Sequence, residues 1–376
     1  MGERMRVTLV LLLTFMSGVT WGAAQDDSWP SFRRTPDLAG VATTVLPGAL
    51  SKRWVFEAAS PVFSTAAIAN GQVFFGTDDG RLIAVGLADG KQKWTYKTEA
   101  TIRVAPLVVD GAVFVGDDNG VLHSVKAADG KRIWKSEQAK QKIRSSPALG
   151  PDSVIYGSYD HYLYALNRKT GAVRWKFETE MPVHGAPCIA DGMAIFAGCD
   201  GHARGIGLAD GAQRVSAELE GNLAAGPAYR DGVVYFGSLS GEYLALRLKD
   251  SKVLWRKEEE DGQFYSTAAV TDGAAVFASR SGAVFCVNPK DGTTVWTHKT
   301  KGAVDSSPVI SGKHVYVGSD DGNLYSLRLA DGKEVWRFTA GGAIQAAPAI
   351  AAGRLVIGTE DGAVYCFGVP NDREKK

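Results

Sequence analysis

Seven of the nine tryptophans in this 376-residue chain stand at near-equal intervals: Trp54, Trp94, Trp134, Trp175, Trp255, Trp296 and Trp336. The steps are 40, 40, 41, 80, 41 and 40 residues, and Val215 fills the midpoint of the double step within the same local pattern. A fixed period of this length marks a repeat architecture, in which each unit buries its faces only against its neighbours. The unbroken period predicts one domain of repeated units, although the length alone allows two or three ordinary domains.

The unit ending at Trp336 reads as four short strands, over residues 304–310, 314–318, 323–328 and 333–338. The second alternates apolar and polar residues with period two. Ser311-Gly312, Asp321-Gly322 and Asp331-Gly332 separate the strands and supply the positive φ angles of tight hairpins. No helical period lies between them. A lone four-stranded sheet of this kind exposes two apolar faces. Radial stacking around an axis covers both, which predicts an all-β, eight-bladed β-propeller of four-stranded antiparallel blades. The tryptophan on each fourth strand then acts as a wedge between blades, and losing one should cost roughly 3–5 kcal/mol. The last unit supplies strands at 344–350, 355–358 and 363–367 but no fourth. Residues 51–56, around Trp54, form a fourth strand with no predecessors. The expected ring is closed by this N-terminal strand, which completes the last blade.

The N-terminus has the pattern of a secretory signal. Arg4 and Arg6 precede an apolar run at 7–19, and Gly22, Ala23 and Ala24 offer a cleavage site. The expected organisation is a signal peptide at 1–24, a lead-in segment at 25–50, the propeller at 51–369 and a C-terminal tail at 370–376. The apolar run is too short to span a bilayer comfortably, and no Cys follows it to carry a lipid. A periplasmic or secreted protein without a membrane span is expected, as a monomer. Net charge is +1, with 42 Lys+Arg against 41 Asp+Glu, which removes the electrostatic case for a nucleic-acid partner.

Four cysteines are present: Cys188, Cys199, Cys286 and Cys366. Cys286 and Cys366 share a repeat position with Ala84, Ala165 and Ser326, which suits small buried fillers. Cys188 and Cys199 flank a hairpin turn at Asp191-Gly192 but are out of register across it. Free thiols are expected, and no CxxC or Cys/His metal spacing occurs. No metal site is expected.

The strings Ala165-Leu166-Asn167-Arg168-Lys169-Thr170-Gly171-Ala172-Val173-Arg174-Trp175 and Ser326-Leu327-Arg328-Leu329-Ala330-Asp331-Gly332-Lys333-Glu334-Val335-Trp336 resemble the tryptophan-docking repeat of the pyrroloquinoline-quinone (PQQ) propeller superfamily. Arg144-Ser145-Ser146-Pro147 resembles it too, as does the segment at 318–325. The likeness covers about residues 51–369. Trp29-Pro30-Ser31-Phe32-Arg33-Arg34 resembles the lead-in of small exported members. One branch of that superfamily comprises quinoprotein dehydrogenases that bind PQQ and Ca²⁺. Another is the barrel-assembly propeller lipoprotein of the bacterial outer membrane, a scaffold without cofactor. This chain lacks the adjacent Cys-Cys pair and the inserted loops of many dehydrogenases, and no Glu, Asn and Asp metal ligands carry over. It also lacks the lipid-anchor Cys of the scaffold. The resemblance implies an exported, non-catalytic scaffold that binds a protein or peptide partner in envelope or outer-membrane protein assembly, with no cofactor. The alternative is a small quinoprotein-like enzyme or sensor holding PQQ with Ca²⁺, or another anion, in the central funnel.

Internal alignment locates a candidate site. Most first strands carry a Pro, replaced by Ala66 and Ala268 in repeats one and six, and the residue three before it should line the channel mouth: Phe63, Arg103, Arg144, His184, Ala224, Tyr265, Asp305 and Gln345. Its predecessor is always apolar, whereas this position varies, and variation within a uniform repeat is where function can be placed. Arg103, Arg144, His184 and Tyr265 could hold an anion or carboxylate, with Asp305 and Gln345 opposite. The turns between second and third strands should rim the same mouth with Asp78, Asp118, Tyr159, Leu239, Arg280, Asp320 and Glu360. The turns at 117–120 and 319–322 faintly resemble Ca²⁺ loops but lack the downstream bidentate Glu. The acidic run at 258–261 reads as a solvated loop. Repeat four deviates: Val215 replaces Trp, the segment at 201–207 replaces the usual turn and third strand, and one residue is missing between Gly198 and Asp210. Such a blade is either a surface for docking a partner or a decayed repeat.

Overall fold

The computed structural model describes residues 28–219 and 221–370. The expected export signal, and all of the expected tail except Pro370, lie outside those residues. The strands form eight antiparallel four-stranded sheets, and one of these gains a fifth strand. First strands of neighbouring blades touch one another, so they surround the axis. Blade 1 runs outward from there through Ala67–Ala69, Gln72–Gly76, Arg81–Gly86 and Gln92–Lys97. Blade 8 combines Ala349–Ala351, Arg354–Gly358 and Ala363–Gly368 with Ser51–Glu57 as its outer strand. Ser51 faces Gly368 and Glu57 faces Ala363, so the two ends of the ring are clasped within one sheet. Among the described residues, no helix is long and apolar enough to cross a membrane.

The blades are fastened by a repeated clamp. In every outer strand the register slips by one residue just before the tryptophan, or before Val215 in blade 4. Such a bulge re-aims the side chain, here toward the next blade. The indole N–H groups of Trp54, Trp94, Trp134, Trp175, Trp255 and Trp296 donate to the carbonyls of Leu87, Ala127, Arg168, Leu208, Pro289 and Leu329 at 2.7–3.1 Å. Each ring lies against a glycine of the same receiving turn: Gly90, Gly130, Gly171, Gly211, Gly292 or Gly332. These glycines have φ of 67–72°, and a Cβ on any of them would come within 2.6–2.8 Å of the ring. Glycine is required there by conformation and by space together. Trp336 meets the chain break of blade 8 instead of a turn, and packs edge-on against Phe367 at 5.6 Å and 79°.

Blade 4 is regular, contrary to the expectation from sequence. His202–Gly207 is an ordinary third strand, with His202 opposite Glu218 and Ala203 opposite Ala197. Ala197 stands where blade 1 has Gly76, which faces Leu82, so Gly198 belongs to the turn and no residue is missing. The unusual member is buried Arg204 in the strand interior, held by Asp200 at 2.8 Å. All four cysteines are free, and Cys188 faces Ile195.

The lead-in proves to be part of the core. Its carbonyls at Trp29, Pro30, Pro36, Asp37, Ala39 and Gly40 accept the N–H groups of Ile68, Val108, Ile189, Tyr229, Val270 and Ile310 at 2.7–3.0 Å. These are first-strand residues of blades 1, 2, 4, 5, 6 and 7, so the segment satisfies inner edges that would otherwise face the channel. Val41–Ala42 adds a parallel strand to Val309–Ser311 of blade 7. Trp29, Leu38, Leu46 and Leu50 are buried. Arg33 is fully buried, with φ of 62°, and donates to the carbonyls of Pro308 and Ala268 at 2.6 and 2.9 Å. Burial pushes its guanidinium down to about 9, against a smaller upward pull from Asp37. The lead-in thus plugs one end of the channel.

Candidate functional site: the channel mouth

Hydroxyl groups stitch the throat together just inside the opposite end. Ser64, Ser145 and Ser306 donate to the carbonyls of Val104, Gly185 and Ala346 on the next blade at 2.8–3.0 Å. The hydroxyls of Thr65, Ser146 and Ser307 accept the N–H groups of Ala347, Ala105 and Thr267. Every bond runs between blades, so the mouth residues stand on a fixed ring.

The eight expected positions lie four residues before the first strands, in the segments that lead into them rather than on the strands themselves. All line one funnel of about 200 Å³, which also receives Phe32 of the lead-in. The structure therefore brings together every expected site residue: Arg103, Arg144, His184, Tyr265, Asp305 and Gln345. The rim turns expected from sequence stand beside them, each through a backbone N–H bond to the connection that leads into its own blade. Cys199 completes that rim, with its N–H directed to the Pro182 carbonyl in the same way. The misplaced Gly198 had hidden this eighth position.

Arg103, Arg144, His184, Asp305 and Gln345 are each taken up by the rim turn of the preceding blade, whereas Tyr265 is covered by the turn of its own blade. Arg103 binds Asp78 with two bonds of 2.5 and 2.7 Å, and its guanidinium lies 4.5 Å above the Phe63 ring. Arg144 contacts Asp118 at 2.6 Å. Across the ring the polarity is reversed: Asp305, in the segment leading into blade 7, is held by Arg280 on the turn at 2.7 and 2.8 Å, and Arg280 covers the Tyr265 ring at 4.0 Å. Gln345 hydrogen-bonds Asp320. Burial, followed by the neighbouring Asp305, raises the Asp320 carboxyl. Asp78, Asp118, Asp305, Asp320 and Glu360 outnumber the three guanidiniums and the Lys142 ammonium, which lies 4.5 Å from the Tyr159 ring, so the mouth is biased toward negative charge. Three buried polar atoms, Asp118 Oδ1, Arg144 Nε and Asp320 Oδ1, have no protein partner.

His184 is the titrating member. Its Nδ1 lies 2.5 Å from the Tyr159 hydroxyl, and its ring stands edge-on to Tyr265 at 6.4 Å. Burial, then Arg144 and Lys142, push it from the ordinary 6.5 down to about 4. The unfolded chain takes up a proton in that interval and the native state does not. Stability is therefore lost as pH falls from 6.5 toward 4, by about 3 kcal/mol at most. His184→Gln is expected to flatten this part of the stability profile measured by denaturant titration; an unchanged slope contradicts the assignment.

PQQ is a tricarboxylate that binds with Ca²⁺, and the mouth does not fit that pair. Arg103 and Arg144 are already held by carboxylates, and the funnel is smaller than the roughly 300–1,000 Å³ of ordinary small-molecule sites. Among the described residues, no group of three or more His, Cys, Asp or Glu side chains is placed to hold a metal ion.

The family model of the outer membrane protein assembly factor BamB matches residues 49–158, 118–280, 200–310 and 280–369. The chain belongs to that family. No protein of curated function matches it in sequence. Among solved structures, BamB from Moraxella catarrhalis superposes with a TM-score of 0.73 at 20% identity, covering 86% of this chain and 98% of that one. The computationally designed Ika8 protein gives 0.75 at 17% identity, covering 88% and 99%. The quinohemoprotein alcohol dehydrogenase from Comamonas testosteroni gives 0.80 at 12% identity, covering 93% and 82%. At these identities the superpositions speak to the propeller fold; membership of the BamB family rests on the matched repeats.

Proposed function

We propose that this chain is an exported, non-catalytic propeller scaffold that binds a protein or peptide partner during outer-membrane protein assembly in the cell envelope. The observation that carries this reading is the match to the BamB family along the whole ring. The mouth adds a chemical preference. Its carboxylate excess suits a partner that presents lysine or arginine. The quinoprotein alternative draws on fold likeness alone.

The test is capture from envelope extract on the immobilised protein, compared with an Asp320→Lys/Glu360→Lys variant that reverses the bias. A partner retained by the parent and lost from the variant is the expected result. The same partners on both, or none on the parent, would overturn the mouth as the binding surface.

A further inference from the structure

Neighbouring blades are fastened by three kinds of contact: the tryptophan of the outer strand, the hydroxyls of the throat and the paired side chains of the mouth. Among the described residues, the junction between blades 4 and 5 has none of the three, whereas every other junction has at least one. Val215 occupies the tryptophan position, and Ser251, with φ of 54°, replaces the glycine of the receiving turn. Gly185 and Gly226 stand at the throat positions that carry hydroxyls elsewhere. A Cβ on either would lie 2.7 Å from a carbonyl oxygen of the other blade. At the mouth, the rim turn of blade 4 carries Cys199 and blade 5 offers only Ala224, whose side chain has no polar atom to pair.

The apolar face is trimmed as well. Ala203 and Ala217 pair in blade 4 where Leu82 and Tyr96 pair in blade 1, so less apolar area is buried against the next blade. A cavity of about 400 Å³, bordered by Met193 and Leu248, opens beside Val215. The side-chain bonds that cross the junction are exposed or long. Tyr229 donates to the Asp191 carboxylate at 2.9 and 3.0 Å, and the Ser251 hydroxyl to the Ser216 carbonyl at 3.3 Å, both at the surface. The Cys199 thiol lies 3.8 Å from the Leu223 carbonyl. Bonds open to water add little net stability. The lead-in spans the junction instead. The carbonyls of Pro36 and Asp37 accept the N–H groups of Ile189 in blade 4 and Tyr229 in blade 5 at 2.7 and 2.8 Å. The Cys188 thiol donates to the Asp37 carbonyl at 3.4 Å, and Leu38 is buried in the apolar cluster that the two blades share.

We propose that this junction is a seam: blades 4 and 5 part reversibly along their shared face while the other junctions stay closed, and residues 36–38 are the strap that limits the opening. A ring with one weak junction opens there first, because local stability follows the contacts that must be broken. Parting widens the mouth beside His184 without unfolding a blade. The seam is a property of the ring itself and holds whether or not a partner binds, so it stands apart from the scaffold reading.

The protein carries its own reporters. Cys188 lies in the seam at 0% exposure, as buried as Cys286 at 2% and Cys366 at 0% in blades 6 and 8. The test is made in a Cys199→Ser background, which keeps an adduct from forming first at the edge of the seam. N-ethylmaleimide is added at a series of low urea concentrations, and each thiol is followed by peptide mass spectrometry. Cys188 is expected to react at least about tenfold faster than the other two, at a rate nearly flat in urea, while theirs climb steeply with the surface exposed by global unfolding. A common rate and slope for all three, or Cys188 the slowest, overturns the proposal. Val215→Trp/Ser251→Gly rebuilds the clamp across the seam and should slow Cys188 about tenfold. Should that variant fail to fold, Leu38→Ala loosens the strap and should speed Cys188 to a similar degree. An unchanged Cys188 rate in the folded variant overturns the proposal as well.

Discussion

A chain that begins at Ala58 is expected to lose the cooperative melting of the parent. It lacks Ser51–Glu57, so blade 8 ends on Ala363–Gly368 as an open edge. It also lacks Trp54, whose indole fastens blade 8 to blade 1 through the Leu87 carbonyl. Removing one such wedge costs roughly 3–5 kcal/mol. The lost strand pairing and the freed edge add to this, and the sum reaches the order of the ~5–15 kcal/mol that holds a domain folded. Calorimetry should show a broad transition well below that of the parent. Melting at the parent temperature would mean that the ring does not depend on its closure.

A chain that begins at Ser51 separates the closing strand from the plug. It keeps blade 8 whole but loses the carbonyls that occupy the inner edges of six blades. Each of those bonds contributes about 1 kcal/mol net, and burial of Trp29, Leu38 and Leu46 adds more at about 25 cal/mol per Å². The expected outcome is a folded ring that is less stable by about 5–10 kcal/mol, with first-strand amides of blades 1, 2, 4, 5, 6 and 7 that exchange faster. Unchanged stability and unchanged exchange would mean that the segment merely rests on the ring.

These two variants also mark how far the sequence could be read. Spacing of the tryptophans and the missing fourth strand after residue 367 were enough for the blade number and the closure, because both are periodic and local. The plug was not legible: Pro30, Pro36, Asp37 and Gly40 act through their carbonyls, and a carbonyl leaves no mark on residue type. Arg33 reads as an ordinary surface cation until its burial is seen. Gly198 misled the alignment of blade 4 because a glycine beside Ala197 looks like the strand-end glycine of the other units, and the error concealed Cys199. The mouth was found as a set of unlike residues, but their mutual pairing was not foreseen. Its signal was present, since Asp78 and Arg103, and Arg280 and Asp305, are of opposite charge at one common separation of 25 residues. That separation joins a turn to the start of the next blade, a relation that becomes obvious only once the ring is drawn.

The pairing also turned the chemistry of the mouth from anion-seeking to acid-rich. Salt bridges at such partly exposed positions contribute only about 0–1 kcal/mol each to stability, so their consequence lies in the field they leave. Isothermal titration of the purified protein with PQQ in the presence of Ca²⁺, paired with an assay for dye reduction by alcohols, tests the reading of this ring as a scaffold most directly. No saturable heat at tens of micromolar quinone, and no reduction, is the predicted result. Saturable one-to-one binding that survives dialysis, with alcohol-dependent dye reduction, would contradict it.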